Sequence, residues 1–564
     1  VGRLLLRKPD MAESTYTKIS GGIVYDPANG VSGEIRDLWV RDGRLAAAPD
    51  DPRQETIRVI DATGLVVMPG GVDMHSHIAG PKVNTARKMR PEDRRADPLP
   101  RDAHCRSGTL GSVPSSFAAG YKYAALGYTT VFDAAVPPLG ARAAHEELDD
   151  TPCIDAGFFA LAGNNHYVMD TVREAEPERL QAFLGWLLAA TKGYAVKLVN
   201  PGGVELFKHL PRGNVAGIDS EVAPFGVTPR RIIGSVARAA DELKLPHSVH
   251  LHCNQLGAAG NWRTTLASMQ ALEGHRGHLT HIQFHSYGGG QDDDHGFASK
   301  VPQLADYVND HENLTVDVGQ VLFGQTTSMT GDGPLGQYLA ELYGTKWFSA
   351  DTEQECGCGI VPVHYKPTSL VHSLQWAMGL EWFLLVSDPW RVVLSTDHPN
   401  GASFLTYPRI IRLLMDRTHR QEVLRQVHPK FRERSVLADL DREYSLEEIC
   451  IITRAAPARI LGLANKGHLG VGADADLTLY DQDDNPQTMF ELPRYVIKQG
   501  EVIAEQGVIR RPLPGRRIHV TPDYDRGCEP HIAQWFRRNY SLEFANYVIP
   551  AEALSRAAPQ GDVA

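Results

Sequence analysis

The segment Met68–His77 reads MPGGVDMHSH. Residues two apart on a strand face the same way. His75 and His77 would therefore project from one strand end into one space, which suits two imidazoles on a metal ion. A lone His-x-His also arises by chance, and four further elements raise its value. Lys197 stands inside the apolar run Tyr194–Asn200. Burying an ammonium is costly unless it is paired or neutralised. Desolvation lowers its pKa and yields a neutral amine, which carbon dioxide can convert to a carbamate able to bridge two cations. A buried lysine paired with Asp or Glu is the plainer alternative, and the strand by itself favours it. His250 and His252 lie in Ser248–Asn254, His281 and His285 in Leu279–Ser286. In each run the later histidine is nearer the strand's C-terminal end, where barrel active sites sit. His252 and His285 are thus the better ligand candidates, and His250 and His281, of the same parity, are candidates for a deeper supporting or core role. Any one of them could equally be a hydrogen-bonded core histidine. Asp397, in Val392–Pro399, closes the set; singly it could cap a helix. As a group, His75, His77, Lys197, His252, His285 and Asp397 are hard to ascribe to chance.

The elements that must position these residues alternate. Ala195–Val199, His247–Leu251, Leu279–Phe284, Leu314–Val318 and Arg391–Ser395 are short, β-branched-rich runs, and Arg230–Leu243, Thr264–Leu272 and Thr368–Leu385 carry helical spacing. Strand–helix alternation predicts a parallel sheet, and over some 300 residues a closed barrel is the economical solution. Both chain ends are strand-rich: Ile19–Tyr25, Leu38–Val40 and Ile57–Val59 at one, Ala475–Tyr480, Tyr495–Ile497 and Val502–Ala504 at the other. They can form one small sheet or sandwich. Near the C-terminus Ile532, Trp535, Phe536, Tyr540, Phe544, Tyr547 and Val548 recur at helical spacing until Pro550. This predicts an amphipathic helix whose aromatic face packs on its own chain or docks onto another protein chain.

The chain has 564 residues, 42% of them hydrophobic and 22% charged, which excludes disorder and coiled coil. No apolar run approaches the ~20 residues that span a bilayer, and Val1–Asp10 lacks a secretory core; Val1 and Met11 leave the true start open. The net charge of −11 argues against nucleic acid as the main partner. Seven cysteines without a paired framework fit free thiols in a reducing cytoplasm. Cys356 and Cys358 are too few for a metal cluster by themselves. Against the acidic total, residues 82–101 hold Lys82, Arg87, Lys88, Arg90, Arg94, Arg95 and Arg101 against three carboxylates. As a first loop over the barrel mouth they would attract an anionic substrate tail; a solvated loop pairing internally is the alternative. Asn165, His166 and Asn200 are lower-grade candidates for holding a substrate amide, since strand-end amides are as often turn formers.

The order His-x-His, Lys, His, His, Asp resembles the amidohydrolase superfamily of metal-dependent hydrolases, which includes urease, dihydroorotase and hydantoinase. Thr453–Gly462 and Gly472–Asp476 resemble its closing segment. The resemblance implies a distorted (β/α)8 TIM barrel over 69–450 and a small β-sandwich built from 1–68 and 451–515, leaving 516–564 as an extension. It also implies two divalent ions, zinc being well suited, a carbamate on Lys197, and Asp397 as both metal ligand and proton shuttle. A narrower set of motifs is His77–Asn84, Arg87–Asp93, Gly163–His166, Lys197–Gly203 and Thr396–Gly401. These are similar to the A-type subunits of formylmethanofuran dehydrogenase and of the formyltransferase/hydrolase complex of methylotrophic bacteria. The long lead and Ala/Arg richness lean toward the bacterial type. That similarity implies hydrolysis of the formamide of formylmethanofuran or formylmethylofuran to formate and free amine. It further implies a polyglutamylated C1-carrier and a formyltransferase partner. A cyclic-amide hydrolase of the hydantoinase or dihydroorotase kind, a dehydrogenase-complex component, and a catalytically silent scaffold are the competing readings.

Overall fold

The computed structural model describes residues 16–210, 213–289, 296–352 and 356–554. The expectations on Val1–Asp10 and Met11 lie outside them, as do the side chains of Cys356 and Cys358, which open a strand.

Eight parallel strands form the central sheet: β1 (Gly71–Ser76), β2 (Tyr128–Val136), β3 (Asp155–Leu161), β4 (Ala195–Val199), β5 (Val249–His252), β6 (Gly277–Leu279), β7 (Leu314–Asp317) and β8 (Val392–Val393). They lie side by side in chain order. The two edges meet just past their ends, where Ser76 bridges to His398 and His77 N donates to His398 O at 2.8 Å. All are buried along their length, apart from Thr315 in β7, as parallel strands covered on both faces must be. Helices follow most strands. One, Pro229–Glu242, starts where the sequence places it: Thr228 caps Arg231 N and proline takes the first turn.

One strand reading is corrected. The run Leu279–Phe284 is strand only to Leu279; His281 then adopts a left-handed conformation (φ +36°) and Ile282–His285 form a single 3₁₀ turn. A short three-stranded sheet, Gly324–Thr330, Cys356–Tyr365 and Phe348–Thr352, is inserted between β7 and β8 with the helix Gly333–Tyr343.

The chain ends build one mixed nine-stranded sheet. Leu477–Asp481 pairs antiparallel with Leu65–Pro69, so the last strands join the first. It closes over its own core of Ile19, Val24, Val40, Val67, Leu477 and Leu479. Its seat on the barrel is apolar, through Val496, Ile503 and Ala504 against Tyr121, Ala124 and Cys153, and also ionic. Lys466 Nζ contacts Asp155 (2.5 Å), Asp476 (2.6 Å) and Asp474 (3.0 Å), while Lys498 and Arg516 also reach Asp155, the first residue of β3. Paired in this way, the buried charges are compensated.

The C-terminal aromatic run is not one helix. Glu529–Asn539 is α-helical, and a 3₁₀ turn at Phe544–Tyr547 follows. Its rings pack on this chain's own helix Pro177–Thr191: Phe544 stacks on Trp186 at 4.3 Å, with Phe536 and Tyr547 alongside. These rings are thus covered by the chain itself.

Candidate metal centre

His75 is the last residue but one of β1, and His77 follows the strand. Their Nε2 atoms lie 3.1 and 3.0 Å from Asp397 Oδ1. Asp397 comes just after β8; its N–H donates to Ser395 Oγ (2.9 Å), and its Oδ1 accepts from Asn400 Nδ2 (3.0 Å). Burial works to raise the Asp397 pKa, but His75, His281 and the hydrogen bonds from His75 and His77 outweigh it and hold the carboxyl well below the usual range.

Lys197 is buried in the middle of β4 and donates to Thr280 Oγ1 at 3.1 Å. Burial pulls its pKa down to about 7 against the attraction of Asp317 and Asp397. At neutral pH much of the amine is unprotonated, the form that can add carbon dioxide. Its plainer alternative, a close carboxylate partner, is not seen among the described residues.

His252, at the end of β5, faces Asp332 Oδ2 through Nε2 at 3.2 Å. The ring of His281 lies 4.6 Å from that of His252 and 5.3 Å from that of His75. His285 stacks on the far side of His281, 5.3 Å away, and 5.3 Å from His252. Two trios result, His75–His77–Asp397 and His252–His281–His285, each with its donor atoms within 4.8 Å of one another.

The donor set fits divalent cations. Among the described residues, Nδ1 of His281 and both ring nitrogens of His285 are buried without a hydrogen-bond partner. Burial holds both rings well below the ordinary histidine pKa, so they carry bare lone pairs. Nitrogen and carboxylate donors of this kind suit zinc. Below them, His250 Nε2 touches His75 Nδ1 (3.2 Å) and its Nδ1 touches His247 Nε2 (3.0 Å). Burial keeps His247 and His250 neutral.

A cavity of about 580 Å3 opens over this cluster. His75, His77, Lys82, Lys197, His252, His281, Asp397 and Asn400 line its inner end, and Phe284, Leu335, Tyr338, Leu342, Tyr343 and Tyr365 its outer part. His281 forms wall; His285 stands behind it. The assignment of His281 to a deeper layer on strand parity is therefore corrected, whereas His250 does lie deeper. Parity fails because the strand stops two residues earlier. Gly319 makes the turn fit: a Cβ there would sit 2.4 Å from His281 Cβ, and its φ is +67°.

The other sequence candidates separate. Lys82 lines the cavity with Nζ 3.4 Å from His77 Nδ1. The segment after His77 is not an open cationic loop but a helix, Pro81–Met89. Lys88 is exposed on it, but Arg87 and Arg90 point inward. Arg87 donates to Pro114 O (2.7 Å) and Ile78 O (3.0 Å) and faces Glu147; Arg90 donates to Thr326 O and pairs with Asp93. Their guanidiniums satisfy buried carbonyls and carboxylates, which removes them from any steering field. Asn165 caps the helix His166–Glu174 by accepting from Val168 N, and His166 faces Glu205 at 3.0 Å. Asn200 donates to Asp332 Oδ1 (3.0 Å), the carboxylate that holds His252. None of these three lines the cavity. Asp317 and Asp332 escaped the sequence reading. Their only signals were a carboxylate closing an apolar strand and an Asp-Gly-Pro helix start.

The chain matches the amidohydrolase family over residues 58–504. Protein FwdA of Methanocaldococcus jannaschii is 43% identical over 557 residues, covering 95% of this chain and 96% of that one. FhcA, of the formyltransferase/hydrolase complex Fhc of Methylorubrum extorquens, is 36% identical over 549 residues, covering 95% and 97%. Among solved structures, the formyltransferase/hydrolase complex FhcABCD from Methylorubrum extorquens with methylofuran superposes with a TM-score of 0.88 at 36% identity, covering 96% of this chain and 97% of that one.

Proposed function

This chain belongs to the amidohydrolase family, and from that premise we propose that it hydrolyses the formamide of an N-formylated furfurylamine C1-carrier to formate and free amine, as the hydrolytic component of a formyltransferase/hydrolase complex. The observation that supports it most is the gathering of His75, His77, Lys197, His252, His281 and Asp397 around one cavity, in a chain similar over its whole length to one crystallised in a complex with methylofuran. These six side chains, with His285 behind, would hold two divalent cations, and the unprotonated amine of Lys197 would be the group to carry a carbamate among them. Cations bound there supply a Lewis acid for the formyl oxygen and a water acidic enough to be deprotonated near neutral pH.

The chain's own groups do the rest. Asp397, ionised and within reach of both rings of the first trio, accepts the proton of the attacking water and returns it to the departing amine. Asn400 orients that carboxylate through Nδ2. Lys82 sets an amine on the cavity wall beside His77, where formate develops its charge. The outer part, with Phe284, Tyr338 and Tyr365, shields the reacting end from water and favours a flat apolar body.

A second reading, the corresponding component of a formylmethanofuran dehydrogenase complex, is favoured by the 43% identity to FwdA. It uses the same site beside a redox partner that supplies or takes up formate. A cyclic-amide hydrolase has less support, since the full-length likeness is to FwdA and FhcA. The test is formate release from the formylated carrier by purified full-length chain, with and without its formyltransferase, and metal counted on the same sample. About two equivalents of metal and chelator-sensitive formate release are expected. Metal-loaded protein that frees no formate in either setting overturns the proposal. Co-purification of a redox-active partner decides for the second reading.

A further inference from the structure

We propose that Asp317 is the positioning residue of this centre: its single carboxylate sets the tautomer of His75 and fixes the places of His281 and Asp397. The inference rests on the hydrolase reading only in taking the centre to hold cations.

Asp317 is the last residue of β7 and is fully buried. It receives four donors, two on each oxygen. Oδ2 lies 2.9 Å from His75 Nδ1 and 3.2 Å from His278 Nε2; Oδ1 accepts from His281 N at 2.9 Å and from Ser395 Oγ at 3.0 Å. The Ser395 hydroxyl oxygen is itself taken by Asp397 N at 2.9 Å, so its proton goes to Asp317. One carboxylate thus ties β1, β6, the His281 turn and the segment after β8. A carboxylate has about four acceptor sites, and here all are used.

The proton on His75 follows from both of its neighbours. His247 Nδ1 faces the carbonyl of Ile460 at 2.9 Å, an acceptor only, so that nitrogen carries the hydrogen. His247 Nε2 then offers a lone pair to His250 Nδ1 at 3.0 Å, which must carry its own hydrogen. His250 Nε2 is left bare and faces His75 Nδ1 at 3.2 Å. His75 Nδ1 therefore meets two acceptors, His250 Nε2 and Asp317 Oδ2, and holds the ring hydrogen. Nε2 of His75, 3.1 Å from Asp397 Oδ1 on the cavity side, is then the nitrogen left to face a cation; without one it donates to that carboxylate. Only a bare nitrogen ligates a metal, and the bond made by the other nitrogen decides which one is bare.

Asparagine has the shape of Asp317 but not its four acceptor sites. Its amide accepts at one end only, so either its NH2 meets the His75 and His278 hydrogens or it meets those of His281 and Ser395. Asp317→Asn in the full chain is expected to keep wild-type circular dichroism and to bind zinc about 10–100-fold more weakly in chelator-buffered titration. A folded variant with unchanged zinc affinity overturns the proposal. A second measurement does not depend on the variant folding. In metal-free wild type with 15N-labelled histidine, and with His75→Gln for assignment, His75 should show a protonated Nδ1, whatever the state of the Nε2 that faces Asp397. The opposite tautomer overturns the proposal. If wild type itself takes up no zinc, the hydrolase reading falls, and the tautomer still decides for or against Asp317.

Discussion

Replacing Lys197 by methionine is expected to stabilise the cation-free chain while abolishing cation binding. The folded protein holds this amine at a pKa of about 7, against the ordinary lysine value of 10.5. A difference of that size corresponds to about 5 kcal/mol, at 1.36 kcal/mol per unit. The sign follows from proton uptake. Between pH 10.5 and 7 the unfolded chain binds a proton that the folded chain refuses. The penalty therefore grows as pH falls through that window and is complete below about 7. Methionine fills a similar volume with no charge, and the lost hydrogen bond to Thr280 takes back about 1 kcal/mol. About 4 kcal/mol remains at pH 6. With an unfolding entropy of roughly 1.2 kcal/mol/K for a chain this long, the melting temperature should rise by about 3 °C at pH 6 and by only about 1 °C at pH 9. The assay is thermal unfolding of metal-stripped wild type and variant at both pH values, with zinc retention measured on each. A variant that melts below wild type at pH 6, or a difference independent of pH, refutes the argument that Lys197 is kept as a poorly protonated buried amine. Normal zinc retention would separate that amine from the metal centre.

Two further outcomes are expected. Asp397→Asn should retain much of its metal but lose formate release by about 10²–10⁴-fold, because an amide cannot carry the proton from water to amine; substantial residual turnover would give that role to another group. Arg87→Gln should cost about 2–4 kcal/mol of stability, since it leaves Glu147 and two buried carbonyls without their cation, while the KM for carrier stays insensitive to salt. Unchanged stability with a KM rise that is larger at low salt would instead restore Arg87 to a steering role.

Much of the barrel is legible in the chain because its strands are short apolar runs separated by helical spacing. β4 begins and ends where the pattern places it, and the run opening at Leu314 ends one residue early. The chemistry-bearing residues are legible because a lysine in an apolar strand and histidines at strand ends are costly unless used. The nine-stranded sheet is legible only as two separate β-rich ends. That they pair, and that Lys466 and Lys498 seat them on Asp155, depends on residues more than 300 positions apart.

By itself the sequence determined which residue types were available for a cation centre and in which order the strands carry them. Only the tertiary structure decided which of them face the cavity. His281 enters it because the backbone turns left-handed one residue past Thr280, against a glycine from the next strand's loop, and alternation along a strand says nothing once the strand has ended. Arg87 and Arg90 leave the mouth because buried carbonyls and carboxylates brought in from other elements bind them more favourably than water does. Local spacing encodes a side chain's direction; its partner is set by what the fold brings opposite it.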